Sequence, residues 1–261
     1  MIRPGLCSVT FRDLDVEAVV DHAATAGLEC IEWAGDAHVP PGDVATAARA
    51  RELTEQAGLA VASLGSYLRF DGDDDERTRA EGEAVLDSAR ALGASRVRVW
   101  AGRTGSSDVP AGDRARLVGR IQRFADAAAA HGIDVGLEFH GRTLTDEIGS
   151  TQRLLDEIDR ENVLSYWQPH QGMPDEEALD TLNEVLPRAS TIHVFSWWPT
   201  HERLPLAERS ALWERAFAIL AAEGSDRDAL LEFVPGDDPA VLRREADTLR
   251  TLITAGEETT R

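Results

Sequence analysis

The sequence predicts a single α/β domain folded as a closed (β/α)8 TIM barrel, and three observations carry that prediction. The chain has 261 residues, it shows eight short apolar runs each followed by a segment of helical period, and a glycine closes most of the helical segments. Barrels of this class take about 250 residues as one domain. Eight units in succession favour closure over an open doubly wound sheet, and no glycine-rich dinucleotide turn follows the first run. One domain over residues 1–261 is expected, with 255–261 as a frayed tail.

The elements follow in order. Gly5 to Val9 forms the first run, before a helix opening near Asp15 with Val16, Val19, Val20 and Ala23 on one face and Gly27 as its stop. Leu28 to Trp33 precedes a helix from Asp43 to Ala57, and Leu59 to Leu64 precedes one from Asp75 to Leu92. Ser95 to Trp100 leads to a helix from Asp113 to His131, with Leu117, Ile121 and Phe124 at helical spacing. Ile133 to Phe139 is followed by a helix from Asp146 to Ile158, and Asn162 to Trp167 by one from Asp175 to Leu186. Thr191 to Phe195 precedes a helix over Leu206 to Ala222; Ala229 to Phe233 precedes the last, capped by Asp238 with Pro239 in its first turn. The runs are apolar at both parities, as strands covered on both faces must be.

Composition removes several functions. With 27 basic against 47 acidic residues the net charge is −20, so the average surface repels polyanions and nucleic acid is excluded as a partner. Every basic residue is arginine. A chain without lysine performs no Schiff-base chemistry on its own amine and carries no P-loop lysine. Cys7 and Cys30 each lie in an apolar run and read as buried small hydrophobes in a reducing compartment. No apolar stretch is long enough for a membrane span and the N-terminus lacks a signal-peptide core, so the expected location is cytoplasmic.

Barrel chemistry is built at the C-terminal ends of strands. Trp33, Trp100, Glu138, His140, Trp167, Gln168, His170, His193, Trp197, Trp198 and Glu232 fall at or near those ends. Glu138 and Glu232 interrupt apolar runs, Val135-Gly-Leu-Glu-Phe and Leu230-Leu-Glu-Phe, where an unpaired carboxylate is costly to bury. A shared cation removes that cost. With His193 and Gln168 the glutamates offer three oxygen donors and one imidazole, a set suited to Mn²⁺, Mg²⁺ or Zn²⁺. The opposing reading pairs each glutamate with an arginine, Arg98 being the candidate borne on a strand. Trp33 and Trp100 can offer flat apolar ring faces to a ligand, and Arg203 can bind a substrate oxygen or carboxylate.

The order of short motifs resembles the xylose-isomerase-like barrel superfamily of sugar isomerases and epimerases. The resemblance spans nearly the whole chain: Ser8-Val-Thr-Phe, Ile31-Glu-Trp, Leu137-Glu-Phe-His, Ile192-His-Val and Leu231-Glu-Phe. It implies that Glu138, Gln168, His193 and Glu232 hold one divalent metal, that Glu138 and Glu232 are the catalytic carboxylates, and that His140 and His170 contact substrate. It also implies a homodimer. Gln168 departs from the pattern, which usually has an aspartate there, and so weakens the metal site.

The chemistry expected is metal-dependent isomerisation or epimerisation of a small carbohydrate, through an enediolate between two glutamates. Acids in Pro235-Gly-Asp-Asp disfavour a phosphorylated substrate. Two alternatives use the same barrel: a metal-dependent dehydratase acting on a keto-polyol, and a sugar-binding barrel that has lost catalysis.

Overall fold

Several helices begin and end where local side chains fix the boundary. In the computed structural model, which describes residues 1–259, Asp15, Asp43 and Asp74 each accept a hydrogen bond from a first-turn amide of the helix that follows. Gly93 and Gly224 close helices in the left-handed conformation that glycine adopts without steric cost.

The strands are β1 (Ile2–Cys7), β2 (Cys30–Ala34), β3 (Ala60–Gly65), β4 (Arg96–Val99), β5 (Asp134–Glu138), β6 (Val163–Trp167), β7 (Ala189–Val194) and β8 (Arg227–Leu231). The helices are α1 (Val16–Thr25), α2 (Val44–Gln56), α3 (Asp75–Leu92), α4 (Ala111–Ala129), α5 (Ile148–Ile158), α6 (Asp175–Val185), α7 (Ser210–Glu223) and α8 (Leu242–Thr259). All neighbours pair in parallel and β8 returns to β1, closing the barrel as the sequence predicts. Several boundaries shift by a few residues, and two shifts matter most. β1 starts at Ile2, and Ser8–Phe11 is a 3-10 turn; residues 255–259, expected to fray, continue α8, where Gly256 packs within reach of the Phe217 backbone. Residues 260 and 261 lie outside the described chain.

The main apolar core lies between sheet and helices. Ile31, Trp33, Leu64, Val97, Leu137, Trp167 and Ile192 point outward into it and meet residues such as Ala47, Leu92, Ile121 and Trp213. Alternation then turns Glu32, Ser63, Arg98, Glu138, Tyr166 and His193 toward the axis. The barrel interior is therefore polar, and the helices supply the apolar burial that lets it persist. Gly136 on β5 makes room within it: a Cβ there would overlap the Tyr166 ring.

Candidate active site

Strand alternation turns polar side chains of several strands toward the axis, and Arg98 of β4 connects its own strand with β2 and β5. Its Nε donates to Glu32 Oε1 at 3.0 Å and its Nη1 to Glu138 Oε2. Ser63 donates to the other Glu32 oxygen at 2.6 Å. Gln168, just past β6, donates from Nε2 to Glu138 Oε1 at 3.1 Å, and its Oε1 lies 2.9 Å from His193 Nδ1. The same Nδ1 stands 3.5 Å from Glu232 Oε2, while Nε2 faces Glu32 Oε1 at 3.5 Å without a hydrogen bond. Cys7 completes the group: its sulfur, a His193 nitrogen and a Glu232 oxygen all lie within 4.8 Å of one another.

Burial sets the electrostatics. It pushes the Glu32 carboxyl up, yet Arg98 and then His193 outweigh it and leave the pKa at about 2. Glu138 is likewise held below its usual range, burial being overcome by Arg98. Burial opposes charge on His193, but the acidic groups around it, Cys7, Glu232 and Glu32, raise its pKa. The Cys7 thiol is pushed up to about 12, chiefly by burial.

The four predicted metal ligands form one chain of contacts: Glu138 accepts from Gln168 Nε2, Gln168 Oε1 meets His193 Nδ1, and that nitrogen stands 3.5 Å from Glu232 Oε2. The His193–Glu232 separation matches two neighbouring ligands about 2.0–2.2 Å from one cation, whereas Gln168 turns its non-ligating amide nitrogen toward Glu138. Charge favours the same fit. Glu32, Glu138 and Glu232 are all buried, and Arg98 is the guanidinium paired with the first two, so two negative charges stay uncompensated when His193 is neutral. A divalent ion cancels them. His193 and Glu232, with Cys7 beside them, fit the group; the arginine reading holds for Glu138, which Arg98 pairs, and fails for Glu232, which has no arginine partner among the described residues.

A cavity of about 510 Å³ opens above this set, and Glu138, Gln168 and Glu232 form part of its wall. Trp100, His140 and His170, expected from the sequence to contact substrate, line it. The Trp100 ring stacks on His140 at 4.1 Å and carries the Arg69 guanidinium 3.7 Å from its centre. His140 Nδ1 lies 2.8 Å from the Gly141 carbonyl, so Nδ1 carries the proton and Nε2 of the neutral ring is an acceptor. His170 Nε2 donates to the Asp146 carbonyl at 2.8 Å, and burial lowers its pKa.

Two predicted substrate contacts are corrected. Trp33 alternates outward from Glu32, is fully buried between barrel and α2, and donates Nε1 to Thr54 Oγ1 at 3.2 Å. Arg203 is ion-paired to Asp237 and packed over the Trp197 and Phe233 rings, which line the cavity while Arg203 itself does not. Residues that sequence reasoning passed over also belong to the site: Glu32, Cys7, Tyr67, Arg12 and Arg142. Glu32 carried the same signal as Glu138, a carboxylate inside an apolar run. Arg142 lay in a loop without any pattern.

Fold and site together define a barrel enzyme with a buried carboxylate and imidazole cluster at the C-terminal mouth. Residues 20–252 match the family described as Xylose isomerase-like TIM barrel, and the chain belongs to that family. Among curated proteins it is 30% identical over 167 residues to a 3-dehydroshikimate dehydratase of Bacillus anthracis; the match spans 62% of this chain and 60% of that relative's length. Among solved structures, the probable 3-DHS dehydratase of petrobactin synthesis from Bacillus anthracis superposes with a TM-score of 0.81 at 23% identity, covering 96% of this chain and 99% of that one. An L-ribulose 3-epimerase superposes at 0.73 with 18% identity, over 100% and 96% of the two chains. A Xylose isomerase-like TIM barrel protein of Mycobacterium smegmatis, in complex with magnesium, gives 0.70 at 16% identity over 97% of each chain. At these identities the structures speak for the fold. No helix of the described residues is long and apolar enough to cross a membrane.

Proposed function

We propose that the chain is a metal-dependent dehydratase of a small, unphosphorylated keto-polyol bearing a carboxylate, of the 3-dehydroshikimate type. The observation that carries this reading is the commitment of Glu138. Both of its oxygens are hydrogen-bonded, one to Arg98 and one to Gln168, and its pKa is held down. A carboxylate so held is a poor proton acceptor. Epimerisation through two opposed glutamates thus lacks one of its bases, whereas elimination of water needs one group that takes a proton and returns it to the leaving hydroxyl. The 30% identity to a dehydratase supports the same choice.

Glu138, Gln168, His193 and Glu232 would hold a divalent ion, which supplies Lewis-acid polarisation of a substrate carbonyl. His140 is the proton-transfer group. With its Nδ1 proton fixed on the Gly141 carbonyl, Nε2 accepts the proton α to the ketone. The electron pair released moves toward the carbonyl oxygen, then returns to form the C=C bond as the β-hydroxyl departs with that proton as water. At the rim, Arg142 lines the cavity and has no ion-pair partner among the described residues, which suits it to a substrate carboxylate. Trp100 gives the ring an apolar face. The free, buried cysteines accord with a reducing, cytoplasmic setting.

The test is direct incubation with 3-dehydroshikimate and added Mn²⁺, Mg²⁺ or Zn²⁺. The expected result is an ultraviolet-absorbing aromatic product lighter by one water. His140→Gln should lower kcat by about 10²–10⁴-fold. Should the protein instead leave that compound untouched and exchange deuterium into a ketose at constant formula, apart from the label, the epimerase reading replaces this one.

A further inference from the structure

We propose that Cys7 is a ligand of the metal centre, and that with His193 and Glu232 it forms a sulfur, nitrogen and oxygen triad that selects zinc-like ions over Mg²⁺ and Mn²⁺. This rests on the metal-dependent reading above and goes beyond it in naming a donor and a metal preference. Nothing in the sequence singled Cys7 out beyond its apolar neighbourhood, and in the fold it does join a small cluster with Val9, Cys30 and Ala34.

Three observations separate it from a packing residue. Its sulfur, a His193 nitrogen and a Glu232 oxygen lie within 4.8 Å of one another, all three residues being buried. The 3.5 Å between His193 Nδ1 and Glu232 Oε2 is close to the spacing of two ligands in a tetrahedral zinc site, roughly 3.4 Å for bonds of about 2.0–2.1 Å. Finally, Glu232 is buried and has no arginine partner among the described residues, its neighbour being the imidazole of the fully buried His193. Buried polar atoms left this way are costly unless something else satisfies them.

Thiolate ligands favour zinc and other borderline or soft ions, while magnesium and manganese prefer oxygen. Ligation replaces the thiol S–H bond by a metal–sulfur bond, and the proton leaves to solvent. The other cysteine provides a control. Cys30 lies one layer deeper in the barrel, paired in register with Gly5, and its Sγ is 3.7 Å from Asp228 Oδ1.

The experiment is cobalt(II) titration of the chelator-stripped full chain, followed by absorption spectroscopy. The wild type and Cys30→Ala should show ligand-field bands together with a near-ultraviolet sulfur-to-cobalt charge-transfer band. Cys7→Ser should lose the charge-transfer band and keep ligand-field bands. Its preference for Zn²⁺ over Mn²⁺, measured by competition, should fall by at least about tenfold, the lower bound seen when a supporting partner of a ligand is removed. The wild-type spectrum decides the matter even if Cys7→Ser does not fold. Cobalt uptake by the wild type without the sulfur band overturns the role of Cys7 and leaves the metal site standing. Absence of uptake overturns both.

Discussion

Arg98 decides the state of the inner barrel. It is buried between Glu32 and Glu138, so replacing it by an apolar residue leaves two carboxylates without their cation. Arg98→Met should destabilise the fold by about 3–5 kcal/mol in urea melts, whereas Arg98→Met with Glu32→Gln and Glu138→Gln should recover most of that loss. Glu32 sets a pH dependence of known sign. Its folded pKa of about 2 lies below its ordinary value of 4.5, so its contribution is fully present above pH 4.5 and is lost as pH falls through 2. Glu32→Gln should flatten the acid limb of a stability profile between those limits; an unchanged limb would show that other carboxylates govern it. Glu138 and Glu232 were legible as site residues because each breaks an apolar run. Arg98 was legible only as a partner, since an arginine in a strand carries no sign of which carboxylate it meets.

Elements were read with small errors because their limits are set locally. Asp15, Asp43 and Asp74 cap helices through hydrogen bonds within three residues, so short-range sequence contains the whole signal. The last turn of α8 was missed because its order comes from packing on α7, a contact between distant segments made close by Gly256. The role of Gly136 is also tertiary. β5 and β6 bring its α-carbon against the Tyr166 ring, so Gly136→Ala should cost about 1–3 kcal/mol by overpacking, measurable as a shifted denaturation midpoint. A neutral result would mean that the ring has room to turn. Alternation within one strand likewise separates Glu32 from Trp33, which a residue list treats as one motif.

At the scale of the molecule, a buried cluster that sets three carboxylates against one guanidinium should be stabilised by whatever cation it binds. Metal present at about 100 times its Kd should add about 2.7 kcal/mol and raise the Tm by several degrees, and Glu138→Gln with Glu232→Gln should abolish the rise. Equal melting with and without chelator would remove the metal from the account. The surface charge of −20 adds a general attraction for cations that salt screens, so the shift should survive moderate salt if it arises in the buried cluster. The sequence by itself determined the eightfold alternation, the closed barrel, the exclusion of lysine chemistry and the strands that carry acids, because periodicity, capping and burial cost act over short stretches or on single residues. Only the tertiary structure decided that Arg98 holds Glu138, that Trp33 and Arg203 stay out of the cavity, and that Cys7 stands beside His193 and Glu232. Those relations depend on how separate strands meet across the barrel axis, and distances between separate strands are fixed by packing rather than by sequence spacing.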